Sequence, residues 1–149
     1  MKKIFFILLT IIGIIPKLHA QIVEPVHWSY AAKRTGENEA IVFFKATVDP
    51  GWHIYSANQN PGGPVKTSFA FNVSKDYALI GRVTEPTPIT KYEPTSNMDV
   101  LYFEKEVVFQ QKVKLKNTAT AVTGKLNFMV CNDHQCLPPE DVTFSIPIN

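Results

Sequence analysis

Several common signals of function are absent from this sequence. It has no cluster of lysine and arginine, which argues against binding of nucleic acid or of an anionic membrane surface. No second pair of metal ligands accompanies its two cysteines, and it contains no internal repeat or low-complexity tract. No stretch beyond the N-terminus has a convincing helical period, so we expect no helix N-terminus that would lower the pKa of a thiol.

The one long apolar run lies at the N-terminus and is too short to span a bilayer. It extends from Ile4 to Ile15, follows Met1-Lys2-Lys3, and is followed by Pro16-Lys17-Leu18-His19 and the small residue Ala20. This pattern is typical of a secretory signal peptide cleaved after Ala20, with an uncleaved anchor as the alternative. No cysteine follows the run, so lipid attachment there is not indicated. We expect residues 1–20 to be a signal peptide and residues 21–149 to be one exported domain.

Charge gives little information about partners once the signal peptide is set aside. Residues 1–20 hold three of the 15 basic side chains and none of the 13 acidic ones, which leaves 12 basic against 13 acidic. The mature chain is therefore near neutral, and its remaining 129 residues are enough for one domain with a single core. Export also places the two cysteines in an oxidising compartment.

Alternation of apolar and polar residues predicts β-strands along the mature chain. The proline-containing stretch from Thr84 to Met98 is predicted to be a long surface loop or an edge segment. Short strands with turn signals between them predict an all-β fold, a β-sandwich in a single domain. The predicted strands cover residues 26–34, 40–48, 52–55, 68–73, 77–83, 100–103, 107–116, 126–131 and 142–148. Segments 68–73 and 77–83 are predicted to pair with each other.

The two cysteines enclose a ring of six residues, Cys131-Asn132-Asp133-His134-Gln135-Cys136. A disulfide closing so small a ring stabilises a fold by only about 2 kcal/mol, against more than about 4 kcal/mol for one that spans a domain. Stability alone therefore does not explain the pair. A weak redox disulfide is favoured, while a hairpin staple and a metal site remain alternatives.

The sequence around the ring places it near the turn of a hairpin. In the strand before it, Leu126, Phe128 and Val130 share one face, so Cys131 points away from the main core. After Cys136, two prolines precede the next alternating strand. Short connections and exposure are normal at such a turn.

Thiol–disulfide exchange requires a thiolate that can reach a sulfur of the partner. His134, between the cysteines, would supply a proton or a positive charge, although it is equally well explained as a solvated turn residue. Asp133 acts in the opposite direction, because a carboxylate raises the pKa of a neighbouring thiol. We therefore expect a pair that reacts chiefly when a partner docks and orients it.

Three segments together resemble the family of N-terminal periplasmic domains of the disulfide reductase DsbD. They are Gly51-Trp52-His53-Ile54-Tyr55-Ser56, the Tyr102-Phe103 strand after the proline-rich loop, and Phe128-Met129-Val130-Cys131 continuing into Gln135-Cys136-Leu137-Pro138-Pro139-Glu140. The resemblance covers essentially all of residues 21–149. It implies an immunoglobulin-like β-sandwich in the periplasm, with Cys131 and Cys136 as the catalytic pair on adjacent strands.

The resemblance also implies a function and partners. Such domains accept electrons from a membrane-embedded thiol reductase and pass them to oxidised thioredoxin-like periplasmic proteins, without a cofactor or a metal. Since this chain ends at Asn149, we expect it to work with separate partners. We also expect Cys136 to be the sulfur that exchanges with the partner and Cys131 to be the less accessible one.

The chain differs from the family pattern at three places. Four residues separate its cysteines, where the enterobacterial form has five. The loop near Ser96-Asn97-Met98 offers no phenylalanine that would cap the pair. Of two tyrosines that line the site in the family, Tyr55 matches one and His53 replaces the other. We predict the site lining to consist of Tyr55, His53, His134, Tyr92 and Met98.

Several aromatic side chains near these loops would shield the pair, with Trp52 and Phe103 better explained as sandwich core than Tyr55 and Tyr92. Two other classes of function stay open. An exported copper or zinc module would use Cys131, Cys136 and His134, with His53 or His27 as fourth ligand. A non-catalytic immunoglobulin-like interaction domain would keep the disulfide as a structural staple.

Overall fold

The computed structural model describes residues 23–94 and 97–149. The predicted signal peptide, residues 1–20, lies outside the described residues, as does Ser96. Within the described part, no helix is long and apolar enough to cross a membrane. Every named element of that part is a β-strand: β1 (Val26–Gly36), β2 (Glu39–Val48), β3 (Trp52–Tyr55), β4 (Ser68–Phe71), β5 (Tyr77–Thr84), β6 (Ile89–Glu93), β7 (Met98–Phe103), β8 (Glu106–Leu115), β9 (Thr120–Phe128), β10 (Val130–Asn132) and β11 (Glu140–Ile148).

The strands form three antiparallel sheets. One sheet has the order β1-β2-β8-β5, a second has the order β10-β3-β7-β6, and a third has the order β11-β9-β4. The inner faces of the first and third sheets pack together through aromatic rings. The ring of Phe44 on β2 lies 4.8 Å from that of Phe144 on β11 and 4.9 Å from that of Phe69 on β4. The predicted all-β sandwich is confirmed.

The alternation in the sequence is what places the core between these sheets. On β2, the residues at every second position from Ala40 to Val48 are buried, while those between them are partly exposed or exposed. On β8, Val107, Phe109, Val113 and Leu115 are buried and the lysines between them face solvent. Since successive side chains of a strand point to opposite faces, each strand contributes one apolar face to the core.

The predicted pairing of segments 68–73 and 77–83 is wrong. β4 pairs with β9 in the third sheet, whereas β5 pairs with β8 in the first. The connection between β4 and β5 therefore crosses from one layer of the sandwich to the other, and the Tyr77 hydroxyl donates to the Asn72 carbonyl across it at 2.8 Å. A turn signal between two strands does not show whether the chain stays in one sheet.

The long segment from Thr84 to Met98 is only partly a loop. Residues Ile89–Glu93 form β6, which pairs with β7 at the edge of the second sheet. The expectation of an edge segment is thus confirmed, and that of a continuous loop is wrong. The prolines lie before and after β6, where a missing N–H group costs no ladder hydrogen bond.

The cysteines lie in an excursion from a hairpin. β9 and β11 pair in register from Phe128 opposite Glu140 to Thr120 opposite Ile148. Between them, the chain leaves this pair as β10 and pairs with β3 of the second sheet instead. The excursion therefore carries the cysteine ring from the third sheet onto the second.

Candidate functional site

Cys131 and Cys136 are joined by a disulfide at the end of β10. The two residues also form an isolated antiparallel bridge. Backbone bonds close the ladder on both sides: Asn132 N–H donates to the Gln135 carbonyl and Leu137 N–H to the Val130 carbonyl, each at 2.9 Å. The disulfide thus joins adjacent extended segments, as the family resemblance implies.

The turn between the cysteines is organised by Asn132. Its side-chain Oδ1 accepts hydrogen bonds from the backbone N–H groups of His134 and Gln135, each at 2.8 Å. Asparagine favours tight turns because its side chain can bond the backbone two or three residues on. The four-residue connection is therefore an ordered turn, with His134 exposed at its tip.

The two cysteines differ sharply in exposure. Cys131 is only 2% exposed and belongs to a small buried cluster with Tyr55 and Val100, separate from the main core that contains Val130. Cys136 is exposed. The strand alternation thus placed Cys131 correctly on the face away from the main core. One sulfur of the bond is carried by a buried residue, and the other by an exposed one.

An open cleft of about 350 Å³ lies over the disulfide. Strands β3 and β7 contribute aromatic side chains to it because Tyr55 and Tyr102 are paired in register, and β10 contributes Cys131 opposite His53. Residues directly opposite each other on antiparallel strands project to the same face. The lining that concerns the chemistry is formed by His53, Tyr55, Pro64, Tyr102, Cys131 and Cys136.

His53 packs between two tyrosines in this cleft. Its ring lies 5.3 Å from that of Tyr55 and 5.0 Å from that of Tyr102, and its Nε2 lies 3.3 Å from the Tyr55 hydroxyl oxygen. Burial lowers the pKa of His53 below its ordinary value, and Lys91 lowers it further, while Glu104 and Asp133 oppose the shift. Burial also raises the pKa of Tyr55, and Glu93 adds to that effect. Both side chains are therefore held in their neutral forms near neutral pH.

Charged side chains surround the aromatic part of the cleft. Lys91 and Glu93 come from β6, Glu104 follows β7, and Asp133 lies in the cysteine turn. Asp133 was recognised from the sequence as a neighbour of the cysteines, whereas Lys91, Glu93 and Glu104 were not predicted. Pairing between distant strands brings these side chains to the cleft: β6 reaches it through its pairing with β7, and β7 through its pairing with β3.

A loop of residues 56–67 borders the cleft and is fastened at several points. Gln59 is buried, and its side chain accepts from Leu101 N–H at 2.8 Å, which links the loop to β7. At the other end of the loop, the Thr67 hydroxyl donates to the Tyr55 carbonyl at 2.5 Å. Gly63 lies so close to Met98 that an added Cβ would come within 3.2 Å of the sulfur. The loop therefore has a defined position beside the disulfide.

The carboxylate of Glu85 fastens the start of the same loop. It accepts from Ser56 Oγ, from Ala57 N–H at 2.9 Å, and from the Asn58 side-chain amide at 2.8 Å. Ser56 is completely buried. Glu85 lies in the segment before β6, so the two proline-rich segments of the chain are tied together.

The structure places only some of the predicted lining residues at the cleft. His53 and Tyr55 line the cleft, and Met98 packs on the buried cluster that contains Cys131. Tyr92 is 54% exposed and donates to Asn97 Oδ1 at 2.6 Å, while its neighbours Lys91 and Glu93 line the cleft. Neither Tyr92 nor His134 belongs to the lining.

The aromatic residues assigned to the core lie as expected. Phe103 is buried in the main core, and Trp52 packs against it. Tyr102, by contrast, lines the cleft together with Tyr55.

Metal ligands do not converge in the described part of the chain, where no group of three or more histidine, cysteine or acidic side chains is arranged to hold an ion. Both sulfurs are engaged in the disulfide. The potential fourth ligand His27 lies on β1, with its Nε2 3.7 Å from Asp49 Oδ1. The arrangement can support exchange at a disulfide.

Comparison with known proteins agrees with this geometry. The family model described as the N-terminal part of the thiol:disulfide interchange protein DsbD matches residues 20–147. No curated protein sequence gives a significant match.

Three solved structures share the fold at low sequence identity. The N-terminal periplasmic domain of ScsB from Proteus mirabilis matches with a TM-score of 0.60 and 17% identity, over 83% of this chain and 46% of that one. This chain therefore spans about half the length of that relative. The reduced DsbD N-terminal domain of Neisseria meningitidis gives a TM-score of 0.52 and 16% identity, over 80% and 85% of the two chains. A complex of the DsbD and PilB N-terminal domains from the same organism gives 0.50 and 14%, over 78% and 80%.

Proposed function

Since the chain belongs to the family of DsbD N-terminal domains, we propose that it performs thiol–disulfide exchange through Cys131 and Cys136. The family fold is an immunoglobulin-like β-sandwich, which the described strands form. In the proposed function the chain works in the periplasm, after removal of residues 1–20. It receives electrons from a membrane-embedded thiol reductase and reduces oxidised thioredoxin-like proteins.

One observation carries the proposal, namely the unequal exposure of the two cysteines at an open cleft. Cys136 is exposed, whereas Cys131 is 2% exposed. A protein partner can therefore reach Cys136 directly, and Cys131 is protected from other thiols and oxidants. Exchange through a mixed disulfide needs one sulfur that a partner can reach and a second that is held close enough to displace it.

The reaction would proceed in two steps. In the reduced chain, the Cys136 thiolate attacks one sulfur of the partner's disulfide, and the other partner sulfur leaves as a thiolate. Cys131 then loses its proton, and its thiolate attacks the Cys136 sulfur. This second step breaks the mixed disulfide, restores the Cys131–Cys136 bond and releases the partner's second thiolate. Two electrons pass to the partner, which takes up protons from solvent.

The cleft suits a protein partner better than a small thiol. Its floor is closed by Tyr55 and Val100, and Pro64 of the fastened loop borders it. The solved complex between related DsbD and PilB N-terminal domains supports a docked protein domain as the occupant. A small molecular disulfide can reach the exposed sulfur, but it would contact fewer of the surrounding side chains than a docked domain.

Trapping with single-cysteine variants tests the proposal. The Cys131→Ser variant, with Cys136 reduced, should form a stable mixed disulfide with a purified oxidised thioredoxin-like domain. The matched Cys136→Ser variant should trap it much less efficiently, because its remaining thiol is buried. The wild-type reduced chain should transfer two electrons to that domain.

Two results would contradict this assignment. More efficient trapping by Cys136→Ser would reverse the roles of the sulfurs. Failure of the reduced wild-type chain to reduce any thioredoxin-like domain would favour a structural staple. A disulfide that resists reduction until the domain unfolds would point to the same conclusion.

A further inference from the structure

A buried thiol that must become a nucleophile needs a nearby group to take its proton. Cys131 lies in a small cluster with Tyr55 and Val100, away from water. Such surroundings disfavour a thiolate, because burial penalises the charged form of any thiol. The proposed exchange reaction nevertheless requires Cys131 to attack Cys136 as a thiolate. A proton acceptor on the Cys131 side of the cleft would therefore speed this step.

Strand register identifies one candidate. His53 on β3 is the residue directly opposite Cys131 on β10. In antiparallel pairs, side chains at opposite positions project to the same face with Cβ atoms about 4.5 to 5.5 Å apart. Both residues line the same cleft. His53 is thus placed beside the buried cysteine by the backbone ladder itself, independently of any loop.

The other histidine near the cysteines is placed differently. His134 lies at the exposed tip of the turn, where Asn132 Oδ1 accepts from its backbone N–H, and it does not line the cleft. His134 is therefore a suitable comparison rather than a competing acceptor.

We propose that His53 is the proton acceptor for the Cys131 thiol when the reduced pair closes, and the donor that returns this proton when the pair is reduced. In the closing direction, the imidazole takes the proton and the Cys131 thiolate attacks the Cys136 sulfur. The bond between Cys136 and the partner's sulfur breaks, and that sulfur leaves as a thiolate. In the opening direction, a donor thiolate attacks Cys136, the Cys131 thiolate leaves, and the imidazole, which takes up a proton from solvent, passes it to that thiolate. This inference rests on the proposed exchange reaction and adds a residue to it.

The polar and charged groups around His53 fit this role. Tyr55, Lys91 and Tyr102 approach it from β3, β6 and β7, and Glu104 and Asp133 face it from the segments that follow β7 and β10. The two carboxylates stabilise the imidazolium that forms after proton uptake. Burial outweighs them and keeps the pKa of His53 below its ordinary value, so the ring is a free base near neutral pH. The Tyr55 hydroxyl, 3.3 Å from Nε2, orients the ring.

The experiment separates the two thiols without a protein partner. The reduced chain is mixed with dithiobis(nitrobenzoate), an aromatic disulfide that absorbs differently after cleavage. Attack by one thiol releases the first thionitrobenzoate and leaves a mixed disulfide, and attack by the second thiol releases the other. The two phases are followed by stopped-flow absorbance as a function of pH, for wild type, His53→Gln and the matched control His134→Gln.

His53→Gln should leave the first phase unchanged and slow the second by about tenfold or more at neutral pH. The difference should disappear at a pH well above the ordinary thiol pKa of about 8.5, where hydroxide removes the proton. His134→Gln should match wild type in both phases. An unchanged second phase in folded His53→Gln, or a slowed one in His134→Gln, would overturn the assignment.

A second measurement decides the matter if His53→Gln does not fold. In the wild-type chain, the pH midpoint of the second phase should coincide with the His53 titration followed by NMR in the reduced protein. A clear mismatch between the two would also refute the proposal. Another outcome would contradict the proposed function and leave the role of His53 standing: the wild-type chain releases both thionitrobenzoates but reduces no thioredoxin-like domain.

Discussion

Cys131 lies directly opposite His53 in the antiparallel pair of β10 and β3. This relationship brings an ionisable ring to a cysteine that is 2% exposed. It also places the disulfide on the second sheet, although the chain reaches β10 directly from β9 of the third. The chemistry of the site thus depends on a strand that leaves one sheet to join another.

Replacement of Tyr55 should expose the buried cysteine. Tyr55 is 6% exposed and shares the cluster of Cys131, so Tyr55→Ala would open space beside the sulfur and speed alkylation of the reduced Cys131. Loss of so much buried area should also lower the free energy of unfolding by roughly 3 kcal/mol. Alkylation of Cys136→Ser and Cys136→Ser/Tyr55→Ala, followed by mass spectrometry, measures the effect on Cys131 alone.

The matched control is Tyr55→Phe, which keeps the ring and removes only the hydroxyl. It should leave the alkylation rate near that of the parent. Equal rates for the alanine variant and its parent, with the domain still folded, would remove Tyr55 from the shielding of the site.

Reduction of the disulfide should leave the fold intact. The six-residue ring restricts the unfolded chain by only about 2 kcal/mol on the chain-entropy model, whereas domains of this size are typically stable by about 5 to 15 kcal/mol. The melting temperature should fall by roughly 5 to 10 °C. The β-sheet circular dichroism should remain. Collapse on reduction in native buffer would instead indicate a structural staple.

Gly63→Ala should loosen the loop beside the cleft. A Cβ there would lie 2.9 Å from the Gln59 amide nitrogen and 3.2 Å from the Met98 sulfur, so both side chains have to shift. Because the contacts are flexible side-chain ends, we expect a loss of only about 1 kcal/mol in the free energy of unfolding. Alkylation of the reduced cysteines should become faster. Gly36→Ala is the control, since nothing lies within 4 Å of its added Cβ.

The stability of the domain should depend on pH through His53. Burial lowers the pKa of His53 in the folded chain below the value of about 6.5 expected when unfolded. The folded state therefore binds fewer protons in this range, and stability rises with pH. The contribution of His53 is present above about pH 6.5 and is lost as the pH falls through the folded pKa.

Urea unfolding at a series of pH values measures this dependence. His53→Gln should flatten the part of the profile below about pH 6.5. A profile of His53→Gln that parallels wild type over this range would mean that burial does not perturb this ring.

The sequence by itself determined the features that depend on local pattern. Alternation placed Phe44, Phe109 and Leu126 in the core, and they are completely buried. The same alternation places Cys131 on the face opposite to Val130. The two cysteines are five residues apart in sequence, so their disulfide closes only a short loop. These features follow from the period of a strand, which is a property of neighbouring residues.

Only the tertiary structure decided which distant residues meet. The position of His53 opposite Cys131, and of Tyr102 beside Tyr55, follows from the register of β3 with β10 and β7, and register is set by packing across whole sheets. For the same reason, β4 and β5 occupy different sheets although a short turn joins them. The charged groups around His53 belong to segments far apart in sequence, and no local pattern distinguishes them from other surface residues.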